Sequence, residues 1–214
     1  MNRDDEAAYI RMIAAKWQID AHDVPTVLAK WCVFEQQYGE YYVKLRIEKN
    51  IDYLSFWSNN PLFHKHFYLF SDYPASFDQY AIWHDGSHQS LSEMPIVALG
   101  DDGYLGVIAD NLSDFLRMLA SGDLLSARNR YETNDVELKR FCLPLEWLPF
   151  EVDDLPPNWS AFHDFIQNEL HLTPDLEPNV SLMKAYCKHG SRFIQWCNQY
   201  LDWKIDEKYS KSSK

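Results

Sequence analysis

Eight histidines are the first residues to test for chemistry, because imidazole binds metals and exchanges protons near neutral pH. His64 and His66 form H-x-H, and His84 and His88 form H-x-x-x-H. On a strand, residues two apart share a side, so H-x-H would offer two rings to one ion. Gly86 interrupts the second pair in a loop-like stretch, which removes the i, i+4 geometry of a helical site. No H-E-x-x-H occurs and no cysteine lies close by. These histidines therefore read as surface or interfacial groups with ordinary hydrogen bonds. A metal-dependent hydrolase using His64, His66, His84 or His88 is kept only as a remote alternative.

Nucleophile signatures are missing too. There is no G-x-S-x-G elbow. Cys32, Cys142, Cys187 and Cys197 are scattered without a C-x-x-C, so free buried thiols in a reducing cytoplasm are expected. Gly100, Gly103 and Gly106 are spaced by three, but no helix begins at the last of them, so they serve turn geometry rather than a phosphate. The carboxylates are numerous. Asp101 and Asp102 share a turn, Asp110 and Asp114 surround a helix start, and Asp72, Asp78 and Asp85 fall near strand ends. Backbone hydrogen bonding accounts for turn and cap aspartates. Gathered on one rim, several could face a cationic surface. Trp57, Tyr73, Trp83, Trp147 and Trp159 are aromatic enough to anchor a partner, although a broad sheet–helix interface would absorb each of them.

The elements that must carry these residues centre on 80–122. Tyr80–Trp83, Pro95–Leu99 and Leu105–Ala109 are apolar runs, the last two joined through Gly100, Asp101, Asp102 and Gly103, a β-hairpin signal. Asn111 can cap a helix in which Leu112, Phe115, Leu116 and Leu119 share one face, with Gly122 as a left-handed stop. Upstream, 5–19 and 25–38 read as helices, the second with Pro25 at its first position and Gly39 at its end. Residues 41–47 are a strand or a helix continuation. Residues 66–70 and 77–83 read as antiparallel strands around Pro74. Beyond Gly122, 135–143 is a short helix, 144–157 an irregular connector with Pro144, Pro149, Pro156 and Pro157, and 159–170 and 182–203 are helices. Short consecutive strands without helical crossovers imply the α+β class: an antiparallel sheet with helices packed on one face, plus a C-terminal helical extension. The expected division is 1–143, a connector over 144–157, and a helical extension over 158–214 packed on the first part.

At 214 residues and 46% hydrophobic, with eight Trp and thirteen Tyr, the chain can bury a real core. It has no apolar run long enough for a membrane helix, and its acidic N-terminus is not a secretory signal. The net charge of −12 argues against binding a nucleic-acid backbone and permits a basic partner.

The order PIVALGDDGYLGVIADNLSDFLRMLASG, after an aromatic strand and a polar turn, resembles the core of the SUKH superfamily over about residues 66–122. The family's strand ending in Gly, turn, strand and capped N-L-x-x-F-L-x-x-L helix are matched by Gly100, Gly103, Asn111, Leu112, Phe115, Leu116 and Leu119. Nothing in that motif is catalytic. The resemblance implies a bacterial toxin-immunity protein that binds and occludes a cognate toxin, often a nuclease. A regulatory or scaffold protein, like the fungal cell-wall assembly regulators of the superfamily, is the alternative. No catalytic, metal or cofactor residue is assigned. Asp78, Asp85, Asp101 and Asp102 are the candidate contacts with a basic toxin domain.

Overall fold

The computed structural model describes residues 3–39, 41, 43–47, 51–73, 78–87, 89–100, 105–127, 145–149, 155–203 and 205. Its centre is a five-stranded antiparallel sheet in which neighbours in sequence are neighbours in space. The strands are β1 (Lys44–Leu45), β2 (Phe67–Tyr73), β3 (Asp78–Trp83), β4 (Ile96–Leu99) and β5 (Leu105–Ala109). The α+β class and the antiparallel sheet are as the sequence implies, but helices cover both faces of the sheet rather than one.

Every residue of β4 and β5 is buried, so both faces of the sheet are covered. That explains the composition of PIVAL and LGVIA. A strand with one wet face alternates polar and apolar residues, whereas one covered on both sides is apolar throughout. Side chains still alternate between two cores. Tyr80, Ile82, Ile96, Ala98 and Ile108 join one, and Ala81, Trp83, Val97, Leu99 and Val107 join the other. A bulge at Phe70, between the Leu69–Ala81 and Ser71–Tyr80 pairs, puts that ring into the first core beside Trp31 and Phe115.

The first core lies under α1 (Arg3–Trp17), α2 (Thr26–Tyr38) and α5 (Leu112–Leu119). Asn111 caps α5 as expected: its Oδ1 accepts the Asp114 N–H at 2.9 Å, while its Nδ2 donates to Asp114 Oδ2 at 3.0 Å. Leu112, Phe115, Leu116 and Leu119 are all buried, and Gly122 ends the segment at φ +87°. The second core lies under α3 (Ile51–Trp57), α4 (Pro61–His64) and the C-terminal helix, and packs that extension directly on the sheet.

Several local expectations change. Pro25 stands at the N-cap of α2, one position ahead of the helix. Where prolines implied an irregular connector, Leu145–Pro149 forms strand β7, paired antiparallel with β6 (Asp123–Ala127). Pro149 is its last residue, a position where a missing N–H costs little. The stretch 159–170 divides into α6 (Trp159–Asp164) and one turn of π-helix (Phe165–Glu169), closed by Leu170 N–H donating to Phe165 O. The last helix, α7, starts at Pro178 and ends at Tyr200. The short helix expected over 135–143 lies outside the described residues.

Trp57 and Trp83, candidates for exposed anchors, are core residues at 3% and 0% exposure. Trp83 packs against Phe193 and Trp196 of α7. The extra aromatics are needed because one sheet has two cores to fill. Cys32 and Cys197 are buried as expected, but Cys187 is exposed, because it lies on the solvent side of α7.

Candidate functional site

A network of five charged or titratable side chains lies where α7 crosses one end of the sheet. The register Ile82–Ile96–Ala109 brings the ends of β3 and β5 to the same edge. Asp85 follows β3 and Asp110 follows β5. Opposite them, α7 presents Lys188, His189 and Arg192. Lys188 Nζ donates to both Asp110 oxygens at 2.8 and 2.7 Å. His189 Nε2–H donates to Asp110 Oδ1. Arg192 reaches Asp85 Oδ2 at 2.6 Å and lies 5.4 Å above the Trp83 ring. Its other amino group lies 3.3 Å from His189 Nδ1. A guanidinium can only donate, so Nδ1 must be the acceptor and the ring must be neutral.

The electrostatics agree with that tautomer. Burial lowers the His189 pKa, with Lys188 and Arg192 adding to the effect, and Asp110 only partly offsets them. Burial alone would raise Asp110, but hydrogen bonds from Lys188 and His189 hold its carboxyl below the ordinary range. Asp85 is likewise held low, where the Ser87 hydrogen bonds and the Arg192 charge outweigh burial. An Asp–His pair can orient a general base when the second ring nitrogen faces a substrate. Here Arg192 occupies that nitrogen and the ring is 7% exposed. The arrangement clamps α7 to the sheet and leaves no ring nitrogen open to a ligand.

Among the described residues, His64, His66 and His84 form no cluster with metal-ligand spacing. His64 Nε2–H donates to Ser58 O at 2.6 Å, and His66 Nδ1–H donates to the His84 carbonyl. His84 Nδ1 accepts from Gly86 N–H at 3.2 Å, and burial lowers its pKa. His88 lies outside the described residues. Among the described residues, the one cluster with metal-ligand spacing is Asp20, His22 and Asp23, all exposed, with His22 3.4 Å from Asp23.

Of the four candidate contact aspartates, Asp78 and Asp85 stand at opposite ends of β3 and do not share a rim. Asp78 opens β3 opposite Tyr73, at the end of the sheet where β4 runs out toward β5. Asp101 and Asp102 lie outside the described residues. Asp85 stands at the far end of β3, about 17–20 Å away at ~3.3 Å per strand residue. Its side chain is 8% exposed and committed to Arg192, so a partner cannot reach it without breaking that pair. No local pattern joins Asp110 to α7, since backbone hydrogen bonding accounts for a cap-adjacent aspartate. The basic residues at i, i+1 and i+4 on α7 were the available signal.

A separate cleft of about 630 Å³ opens between α2 and α6, with the π turn along one wall. Phe34, Tyr38 and Phe165 form its aromatic side, and Asp164, Asn168 and Glu169 its polar side. No protein-family model, no curated protein and no solved structure matches the chain.

Proposed function

We propose that this is a non-catalytic, cytoplasmic immunity-type protein that neutralises a cognate toxin by binding and occluding it. The observation that carries this reading is the run from β3 through β4 and β5 into α5. Antiparallel strands feed, through the Asn111 cap, into a helix whose Leu112, Phe115, Leu116 and Leu119 are buried. That is the arrangement by which residues 66–122 resemble the SUKH core. The −12 charge supports a basic partner, such as a nuclease toxin domain, by attracting it and suiting its nucleic-acid-binding face. Direct contact with nucleic acid has no support from that charge. Among the described residues, no helix is long and apolar enough to cross a membrane.

The test is co-expression with the product of the adjacent gene. The reading expects a stable complex on pull-down and rescue of growth when that product is toxic. Neither a complex nor rescue with any neighbouring product would sink it.

A further inference from the structure

We propose that the cleft between α2 and α6 receives an arginine side chain of the partner, stacked on Tyr38 and paired with Asp164. This rests on the reading of the protein as a binder of a basic partner and names one place where that partner engages.

Three observations converge on a planar cation. Tyr38 is half exposed, and its ring stacks on Phe34 at 5.0 Å and 28°, with Phe34 in turn stacked on Phe165 at 4.9 Å and 27°. One face of Tyr38 is therefore fixed by the core and the other is turned outward, a ready surface for a guanidinium. Asp164 is exposed, and among the described residues it has no ion-pair or hydrogen-bond partner. Among the described residues no cationic side chain lines the cleft, and the charged groups that line it are Asp164 and Glu169.

The local backbone reinforces the sign. Tyr38 stands in the last turn of α2, where the helix dipole is negative. Asn158 Nδ2 donates to the Tyr38 and Gly39 carbonyls at 3.4 and 3.3 Å, which sets the start of α6 beside the end of α2. At the opposite end, Lys30 Nζ donates to Glu169 O at 3.3 Å. A cation thus already stands beside that end, held on the backbone carbonyl and outside the cleft lining, whereas Asp164 has no cationic partner among the described residues. The π turn inserts a residue between Asp164 and Leu170 relative to an α-helix and carries Asn168 to the cleft, adding an amide oxygen that can accept a guanidinium N–H. Lysine has no planar face to lay on Tyr38, and an anion would meet two carboxylates.

The experiment is an NMR titration of the full chain with N-acetyl-L-arginine amide, using the neutral isostere N-acetyl-L-citrulline amide as control. Saturable shifts are expected at backbone amides of 37–39 and 160–169 with the arginine probe and not with citrulline. Asp164→Asn should weaken binding about two- to fivefold, the worth of one exposed ion pair. Tyr38→Ala should weaken it by about the same factor. Asp52→Asn, an exposed acid on α3, should change nothing. Equal binding of citrulline, shifts scattered over the acidic surface, or an equal loss from Asp52→Asn would overturn the proposal. Localised arginine binding in a chain that protects against no toxin would leave the cleft standing and remove the immunity reading. Protection unaffected by Asp164→Asn and Tyr38→Ala, with no localised shifts, would do the reverse.

Discussion

Replacing Arg192 by Ala should uncouple α7 from the end of β3. Arg192 holds the Asp85 carboxylate at 2.6 Å and covers the Trp83 ring. Breaking a buried charge pair from one side costs about 3–5 kcal/mol. Arg192 is half exposed, so water screens the pair, and the Ser87 N–H still holds Asp85 at 2.9 Å. Those two facts bring the ionic part down to about 1–2 kcal/mol. Losing the cation above Trp83 adds about 0.5–1 kcal/mol. The expected loss is about 2 kcal/mol, a Tm lower by about 4–8 °C in a chain of this size. Urea unfolding followed by tryptophan fluorescence measures it, and Trp83 reports on the affected contact. Asp85→Asn keeps the shape and the Ser87 bond, so it should cost about 1 kcal/mol, with a coupling to Arg192→Ala of about 1 kcal/mol in a double-mutant cycle. An Arg192→Ala loss within about 0.5 kcal/mol of zero, or strict additivity of the two changes, would show that the clamp contributes nothing to docking α7.

The same corner sets a pH dependence. The folded pKa of His189 is depressed, chiefly by burial, so between about 6.5 and that lower value the unfolded chain binds more protons than the folded one. Stability should be complete above about pH 6.5 and decline as pH falls through that window. His189→Gln, which can still donate to Asp110 and accept from Arg192, should flatten the slope of unfolding free energy against pH to the share left by His84. Asn111→Ala removes the acceptor of the Asp114 N–H and should cost about 1 kcal/mol by thermal unfolding. Gly122→Ala should cost about 1 kcal/mol, because φ is +87° there and a new Cβ would sit 3.4 Å from Trp159 Nε1. In a Cys142→Ser background, a maleimide should label Cys187 in the native state and spare Cys32 and Cys197 until denaturant is added. Cys32 and Cys197 are buried, and burial raises the Cys32 thiol to about 12.

Local patterns in the chain were strong enough to read β4, β5 and α5 directly. The Asn111 cap, the Leu112–Phe115–Leu116–Leu119 face and the left-handed Gly122 depend on residues within a few positions of one another. The strands β2 and β3 were legible for the same reason. What could not be read there was the second layer. PIVAL and LGVIA are apolar at every position because both faces are covered, but a short apolar run does not say what covers it. Only the packing of α3, α4 and α7 on the far face explains why Trp57 and Trp83 are hidden. The connector also differs, since β7 exists by pairing with β6, about twenty residues earlier, and propensity near four prolines could not anticipate that partner.

The candidate site follows the same division. Residue types told of many carboxylates and a net charge of −12, which bounds the class of partner. Their availability was decided in three dimensions. Asp85 and Asp110, separated by a hairpin in sequence, meet the same turn of α7 and become structural. Asp164, unremarkable in a helical stretch, lines the same cleft as Tyr38 across more than a hundred residues of chain. A side chain's chemistry is set by its own atoms, but whether its charge is spent or available depends on neighbours that only the folded chain brings within reach.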